Sequence, residues 1–273
     1  MTISRLAQGQ SDYTRHKQEG LKSLLHINMR IVKPCLSRYW KPGMPKLSYF
    51  HFDLNAGSGY NEEEKIIGSP LVFLQTATAE QINYRAFFCD ISRESCESLI
   101  GRVSHNEGAY VFWGDNRSFV EMIPEIIKLK PKTEECSRGE NPRLAMGSVY
   151  VDPNGPSGLM VDELATLFKT CERLDLIINL SATGLKRTKS FSWSMRVSEL
   201  MEKINKKKWV VRQIYGAWQW TILLGSNFDK TPSWKAKGFV PVDSHEGQDI
   251  LNRMDMTADE YAEFSKERQG VML

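Results

Sequence analysis

The sequence predicts an α/β fold with a mostly parallel central sheet and helices on both of its faces. Five apolar, strand-like segments follow one another along the 273-residue chain, at residues 47–53, 84–90, 109–115, 147–153 and 174–181. Segments with helical periodicity lie between most of them, and an alternation of strand and helix produces a parallel sheet. The strands are apolar along nearly their whole length, which is typical of strands buried on both faces.

Residues 1–46 are predicted to be a helical extension in front of this sheet. Between residues 13 and 35, apolar side chains recur at the spacing of one helix face: Leu21, Leu24, Leu25, Ile31 and Val32. Pro34 and the Pro- and Gly-containing segment after it are predicted to end the helix.

Residues 47–228 are predicted to form the α/β core. Its helices are expected between the strands, at residues 69–81, 92–103, 117–129 and 158–173. A further helix at 193–207 is expected to lead to a sixth strand, 218–227, that runs near or at an edge of the sheet. Residues 131–146 are predicted to be a polar inserted loop, and residues 229–273 a C-terminal irregular and helical segment packed on the core.

The composition narrows the class of protein. With 41% hydrophobic and 25% charged residues the chain is typical of globular proteins, and its net charge of +3 permits an anionic partner without requiring one. The five cysteines contain no C-x-x-C pair, which disfavours zinc, and the apolar surroundings of Cys35, Cys89 and Cys171 indicate buried thiols in a reducing compartment. No apolar run approaches signal-peptide or membrane-span length, so the cytoplasm is the expected location and no membrane partner is expected.

Acidic residues stand at the carboxyl ends of four predicted strands: Asp53, Asp90, Asp115 and Asp152. Asn179 lies close to the end of the fifth. Because ligands of open parallel sheets bind outside the carboxyl ends of the strands, we expect these side chains to form the rim of a site. One polar residue at a strand end is ordinary, whereas four in corresponding positions indicate a ligand.

The first strand leads into a turn that contains Asn55, Gly57 and Gly59. The glycines permit positive φ angles and a close approach of a ligand to the backbone. The turn is neither a dinucleotide fingerprint nor a P-loop, because the third glycine is displaced and no Gly-Lys-Ser/Thr follows. Asp53, in front of it, would repel a pyrophosphate and suits a cationic or zwitterionic ligand. The alternative is a tight strand-to-helix turn without a ligand.

Asp90 and Asp115 complete the predicted binding site. Asp90 stands where nucleotide-binding α/β proteins hold ribose hydroxyls with a carboxylate. Asp115 is placed to accept a hydrogen bond from an adenine amino group, although the residues after it open a helix and predict an N-cap equally well. Adenine, ribose and an ammonium group without phosphate describe S-adenosylmethionine, which is therefore the expected cofactor.

The stretch 49–74 resembles the start of the three-Cys-motif partner proteins, a family of predicted class I methyltransferases. That family pairs an Asp-x-Phe-Ala-Gly-x-Gly-like turn with a downstream Gly-Ser-Pro, and the corresponding residues here are 53–59 and 68–70. Further similar segments extend the resemblance over roughly residues 13–190. It implies a class I methyltransferase fold and activity, with S-adenosylmethionine as cofactor. Asn55 and Asn154 depart from the family, which usually has aromatic residues there.

The segment after the fourth strand is the predicted reactive edge. Enzymes that methylate exocyclic amino groups share an Asp/Asn-Pro-Pro-aromatic motif at this position. The corresponding residues of this chain are Asp152, Pro153 and Asn154. Asp152 and Asn154 are predicted to align the target amine, since methyl transfer depends mostly on positioning in a dry site. The composition of the segment predicts a simple turn equally well. A cytosine-ring mechanism is disfavoured because the segment lacks a Pro-Cys nucleophile.

The second half of the chain carries residues suited to a nucleic-acid substrate. Basic side chains that would contact phosphates are Lys186, Arg187, Lys189, Lys206, Lys207 and Lys208. Tryptophans that would stack on a base taken out of its helix are Trp193, Trp218, Trp220 and Trp234. Basic runs are also common at solvated helix ends, and strand tryptophans commonly pack a core.

We therefore expect an S-adenosylmethionine-dependent methyltransferase that acts on an exocyclic adenine amino group in DNA, with DNA preferred to RNA as partner. Two alternatives stay open. One is a non-catalytic cofactor- or nucleic-acid-binding module of the same fold, which Asn154 favours. The other is a methyltransferase that acts on RNA, a small molecule or a protein. No metal is expected in any of them.

Overall fold

The computed structural model describes residues 13–39, 47–129, 140–153, 159–181, 195–213, 220–228 and 237–270. The chain forms two compact units. The first comprises Met1–Val151 with Glu163–Ile177, and the second comprises Asp152–Asp162 with Ile178–Leu273. The three-part division at residues 46/47 and 228/229 stays a prediction.

The first unit contains the N-terminal helix and the parallel strands. Its helices are α1 (Tyr13–Tyr39), α2 (Ser69–Ala79), α3 (Arg93–Val103), α4 (Asn116–Lys128) and most of α5 (Val161–Thr170). Its strands are β1 (Tyr49–Asp53), β2 (Tyr60–Asn61), β3 (Ile66–Ile67), β4 (Tyr84–Asp90), β5 (Ala109–Trp113), β6 (Met146–Val151) and the first half of β7 (Leu174–Ser181). The sheet order is β7-β6-β1-β4-β5, and the pairs β1–β6, β1–β4 and β4–β5 are parallel.

Helices cover both faces of this sheet. Neighbouring residues of a strand point to opposite faces. On β1, the ring of His51 stacks on Phe73 of α2 with 4.0 Å between the ring centres, and the ring of Phe52 lies 6.4 Å from that of Phe119 on α4. Helices α2 and α4 therefore lie on opposite faces, which explains why every residue of β1 is buried.

Helix α1 continues past Pro34, so the prediction that this proline ends the helix is wrong. A proline inside a helix removes one backbone hydrogen bond and costs about 3 kcal/mol. The ring of Pro34 is exposed, so water can reach the carbonyl that has lost its donor. In the next turn Leu36 is buried, only 7% exposed, and its packing offsets part of the cost.

Where the structure describes it, the second unit is built on antiparallel strands and three helices. These elements are α6 (Val197–Ile204), β8 (Lys208–Arg212), β9 (Trp220–Ser226), β10 (Phe239–Pro241), α7 (His245–Asp255) and α8 (Ala258–Gly270). Strands follow the order β10-β8-β9, with β7 next, and the pairs β10–β8 and β8–β9 are antiparallel. The strand predicted at 218–227 is β9, but it is an interior strand. Its predicted edge position failed because β8 and β10, which are short and lack a strong alternating pattern, were missed.

The predicted α/β class, with a mostly parallel sheet and an N-terminal helix, is confirmed. Strands β4 and β7 span the residues predicted for them, and β1 and β6 begin or end within two residues of their predicted limits. Among the residues that the structure describes, none of the helices has the length and apolar character needed to span a bilayer.

Candidate functional site

The turn after β1 is held at the carboxyl ends of the neighbouring strands. The backbone N–H of Leu54 donates to the carbonyl of Tyr150 on β6, and that of Ala56 donates to the carbonyl of Cys89 on β4, both at 3.0 Å. The N–H of Gly57 donates to Oδ2 of Asp90 at 2.8 Å. Three hydrogen bonds therefore shape the predicted glycine turn.

The two glycines of this turn serve different purposes. Gly57 and Gly59 have φ angles of +60° and +76°, in a region that other residues disfavour. A Cβ atom on Gly57 would meet no heavy atom within 4 Å, whereas one on Gly59 would lie 2.6 Å from Cδ1 of Leu99 on α3. The backbone at Gly57 is thus open to a ligand, whereas a side chain at position 59 would have to displace the buried methyl group of Leu99.

A hairpin of β2 and β3 separates the glycine turn from α2. The N–H of Gly68 donates to the carbonyl of Gly59 at 2.7 Å and closes the hairpin. Arg102 of α3 holds it in place, because its guanidinium lies 5.2 Å from the ring centre of Tyr60 and pairs with Glu62. The predicted Gly-Ser-Pro tripeptide is therefore a helix start, where a proline needs no intrahelical N–H.

Asp90 connects the ends of β1, β4 and β5. Its Oδ2 accepts from Gly57, and its Oδ1 accepts from the N–H of Ser92 at 2.8 Å. Its backbone carbonyl accepts from the N–H of Gly114, just after β5, at 3.0 Å. The residue is partly exposed, and a carboxylate has about four acceptor positions. It can therefore shape the turn and still accept hydrogen bonds from ligand hydroxyls.

Asp53 supports the turn from inside the protein. The residue is 0% exposed, and its Oδ1 accepts from the N–H of Asn55 at 3.2 Å. Asn55 is partly exposed at the surface of the turn. Direct contacts of Asp53 and Asn55 with a cofactor stay predictions.

Asp115 is the N-cap of α4, as one of its two interpretations predicted. Its Oδ2 accepts from the backbone N–H of Ser118 at 2.9 Å and from the hydroxyl of the same residue at 3.1 Å. The hydrogen bond from the Ser118 backbone is the main cause that lowers the pKa of this exposed carboxyl. Its contact with an adenine amino group stays a prediction.

The acidic residues of the first unit do not lie at corresponding heights on the strands, which corrects the sequence expectation. Asp53 is paired with Phe88, two residues before Asp90, and Asp90 is paired with Trp113, two residues before Asp115. Each aspartate therefore lies two residues further outward than the one before it. The three aspartates are therefore staggered along the carboxyl edge of the sheet and do not lie at one height.

Two exposed apolar side chains beside Asp90 were missed by the sequence interpretation. Ile91 is 76% exposed and Trp113 is 62% exposed. The indole N–H of Trp113 donates to the carbonyl of Ile91 at 3.1 Å, and the guanidinium of Arg93 lies 5.4 Å from its ring centre. The one available signal was an isoleucine immediately after the strand-end aspartate, where a polar residue is more usual.

The first unit thus fits the predicted cofactor. It offers an open backbone at Gly57, a partly exposed acceptor at Asp90 and apolar surface at Ile91. The matching parts of S-adenosylmethionine are its zwitterionic amino-acid end for Gly57, its ribose hydroxyl groups for Asp90 and its adenine base for Ile91. The fit rests on the open space at Gly57, which a Cβ atom would fill.

The described part of the predicted reactive edge consists of Asp152 and Pro153. Asp152 follows β6 directly and is partly exposed, and Pro153 is buried. Nδ2 of Asn179, on β7, donates to Oδ1 of Asp152 at 2.6 Å. Asn154 lies outside the described residues, so its predicted role stays a prediction.

Cys89 and Cys96, two described cysteines of the first unit, are not poised as nucleophiles. Burial raises the pKa of Cys89 to about 12, and burial is also the main cause that raises the pKa of Cys96. Cys89 and Cys171 are buried as predicted, whereas Cys35 is only partly buried. The thiol of Cys35 bonds weakly to the Ile31 carbonyl at 3.7 Å along α1.

Most of the predicted nucleic-acid contacts lie outside the described residues: Lys186, Arg187, Lys189, Trp193, Trp218 and Trp234. So do residues 131–139 of the inserted loop and the side chain of Trp220. Lys207 is exposed, and its backbone N–H donates to Oδ1 of Asn227 at 2.9 Å. This places one predicted basic side chain on the surface of the second unit. Lys206 is buried, only 5% exposed, which corrects its predicted contact with phosphate, because a buried side chain does not reach a nucleic-acid backbone.

The sequence matches no established protein family and no curated protein. Solved structures are similar in fold. Protein LPL1258 from Legionella pneumophila is 12% identical, with a TM-score of 0.51 over 81% of this chain and 88% of that protein. The bifunctional kinase-methyltransferase WbdD is 13% identical, with a TM-score of 0.44 over 81% of this chain and 42% of its own. The fibrillarin pre-rRNA processing protein of Methanococcus jannaschii is 12% identical, with a TM-score of 0.41 over 66% of each chain.

At these identities the similarity shows the fold alone, and of these three only LPL1258 has a TM-score above 0.5. The narrower resemblance to the three-Cys-motif partner proteins is not shown by these comparisons and stays a prediction.

Proposed function

We propose that this protein is an S-adenosylmethionine-dependent methyltransferase that acts on an exocyclic amino group, with adenine in DNA as the preferred target. The observation that carries the proposal is the arrangement at Asp90, whose carboxylate holds the open backbone of Gly57 at 2.8 Å and stays partly exposed. A turn of this kind has a rigid shape, and its free side can receive a ligand.

The residues of the first unit would bind the methyl donor. Asp90 would accept hydrogen bonds from the ribose hydroxyls, and Gly57 would allow the amino-acid end to approach the backbone. Ile91, 76% exposed, would cover one face of the adenine ring, which removes apolar surface from water. When bound, S-adenosylmethionine supplies an electrophilic methyl group on a sulfonium.

Asp152 would align the acceptor. Its carboxylate would accept a hydrogen bond from an N–H of the target amine and so turn the nitrogen lone pair toward the methyl carbon. The N–C bond would form as the C–S bond of the methyl donor breaks, a thioether would leave, and the amine would release one proton to water. Such an in-line displacement needs orientation and exclusion of water more than acid-base chemistry.

DNA is the proposed substrate because Asp152 and Pro153, directly after β6, suit amino-group methylation, and an edge of this kind is common in enzymes that methylate DNA. Lys207, which is exposed, together with Lys186, Arg187 and Lys189, would contact the phosphates. Binding of DNA should therefore weaken as the salt concentration rises.

The test has two steps. Calorimetry first measures binding of S-adenosylmethionine to the full chain. Transfer of a radiolabelled methyl group to duplex DNA, to RNA and to lysate protein is then compared, and labelled nucleosides are identified. Label on the adenine amino group is the expected result.

Each other outcome has a defined meaning. Binding of S-adenosylmethionine without methyl transfer to any acceptor would overturn the proposed enzymatic activity and favour a non-catalytic cofactor-binding module. Label in RNA or protein alone would overturn the DNA assignment. An absence of cofactor binding would overturn the whole proposal.

A further inference from the structure

The buried end of β7 contains a polar side chain whose partner is the aspartate of the reactive edge. Asn179 is 1% exposed, and its neighbours along the strand, Ile178 and Leu180, are also buried. Burying an amide is costly unless it is hydrogen-bonded. Its Nδ2 donates to Oδ1 of Asp152 at 2.6 Å, across 27 residues of sequence.

This hydrogen bond changes what Asp152 can do. An N–H that donates to a carboxylate stabilises its charge and limits its rotation. Because Asn179 belongs to a buried strand, its amide is a fixed reference point. With Oδ1 directed at that amide, the carboxylate presents a defined orientation at the partly exposed edge.

We propose that Asn179 is a positioning residue that orients Asp152 toward the acceptor amine. This inference rests on the proposed methyltransferase function. Asn179 acts on the acceptor through Asp152, so its loss should lower kcat and leave cofactor affinity unchanged.

The hydrogen bond between Asn179 and Asp152 can be tested by exchanging its donor and its acceptor. In Asn179→Asp, two carboxylates face each other and repel, so Asp152 loses its orientation. In the double variant Asp152→Asn with Asn179→Asp, the new amide at position 152 donates to the new carboxylate at 179. The amide oxygen at 152 then remains as an acceptor for the amine, and the contact is restored with reversed polarity.

We expect Asn179→Asp to lower kcat about 100-fold, the loss typical of a misplaced catalytic group. The double variant should recover at least about 10-fold of that loss, since the two residues are coupled. Calorimetry should give the same S-adenosylmethionine affinity for all variants. Asn252→Asp, an exposed asparagine of α7, is the matched charge control and should keep the wild-type kcat.

Losses that add up in the double variant, or a kcat unchanged in Asn179→Asp, would overturn the inference while the wild type still methylates. A wild type without cofactor binding or methyl transfer would instead overturn the proposed function. If Asn179→Asp does not fold, Asn179→Ala makes the same comparison without the added charge. A reduced kcat with unchanged cofactor affinity supports the positioning role, and an unchanged kcat overturns it.

Discussion

Asn28 of α1 donates a hydrogen bond to Asp175 of β7, across 147 residues of sequence, inside the core of the first unit. Asn28 also accepts from the hydroxyl of Tyr49, which lies 3.0 Å from Oγ of Ser148. Nδ1 of His51 lies 2.9 Å from the same Oγ. These five residues form one buried polar chain that joins α1 to β1, β6 and β7.

The direction of the hydrogen bonds follows from counting protons. Asn28 offers Tyr49 an oxygen acceptor, so the single phenolic proton of Tyr49 is used there. Ser148 must then donate to Tyr49, and His51 must donate to Ser148 through Nδ1–H. The chain therefore runs in one direction, from His51 to Asp175, and it requires the neutral Nδ1–H tautomer of His51.

Replacing Asn28 with Ala should lower the free energy of unfolding by about 1–3 kcal/mol, because it removes two hydrogen bonds from buried partners. Urea denaturation, followed by near-ultraviolet circular dichroism, measures the change. Lys22→Ala, at an exposed position of the same helix, is the control and should change stability little. Equal effects of the two substitutions would contradict the role of the polar chain.

His51 should make folding sensitive to acid. Burial lowers its pKa from 6.5 to about 3, so between these pH values the unfolded chain binds a proton that the folded chain does not. The stabilisation is fully present above about pH 6.5 and is lost as the pH falls toward 3, at up to about 1.4 kcal/mol per pH unit. Measuring unfolding across this range should show a shallower slope for His51→Phe than for the wild type.

The exposed His105 provides the control for that measurement. His105→Gln should keep the wild-type slope, because this side chain lies on the surface and its replacement leaves the buried polar chain intact. A wild-type slope in His51→Phe would show that other groups cause the acid sensitivity.

Alanine at the two turn glycines should separate binding from folding. Gly57→Ala should cost about 1–2 kcal/mol of stability from its positive φ, and should weaken S-adenosylmethionine binding more than that cost explains. Gly59→Ala should destabilise further because of Leu99 at 2.6 Å, so the losses of Gly59→Ala and Leu99→Ala should be less than additive in the double variant. Calorimetry and urea denaturation check both. Less-than-additive losses for Gly57→Ala with Leu99→Ala would refute the distinction.

Asp90→Asn should weaken cofactor binding at least 10-fold, or about 1.4 kcal/mol. An asparagine has one acceptor oxygen, so it cannot accept from both Gly57 and Ser92 and also from ribose hydroxyls. Calorimetry measures the affinity, and Glu94→Gln in the first turn of α3 is the matched control. Unchanged affinity in Asp90→Asn would remove Asp90 from the site.

Local signals predicted much of the fold because buried strands and amphipathic helices have their own residue patterns. Strands β4 and β7 are apolar runs bounded by polar residues, and their limits were predicted correctly. The same reasoning failed at Pro34, where packing of the following turn outweighs a local helix breaker. It also missed β10, whose three residues carry too little pattern to identify a strand.

The sequence by itself determined which strand ends carry aspartates, that a glycine turn follows β1, and that Asp115 is placed to cap a helix. Only the tertiary structure decided what these residues do to one another. It buries Asp53 under the turn, makes Asp90 the link between three strand ends, and brings Asn179 onto Asp152. Such contacts join residues far apart in the sequence, and the strand register that creates them depends on packing of the whole sheet.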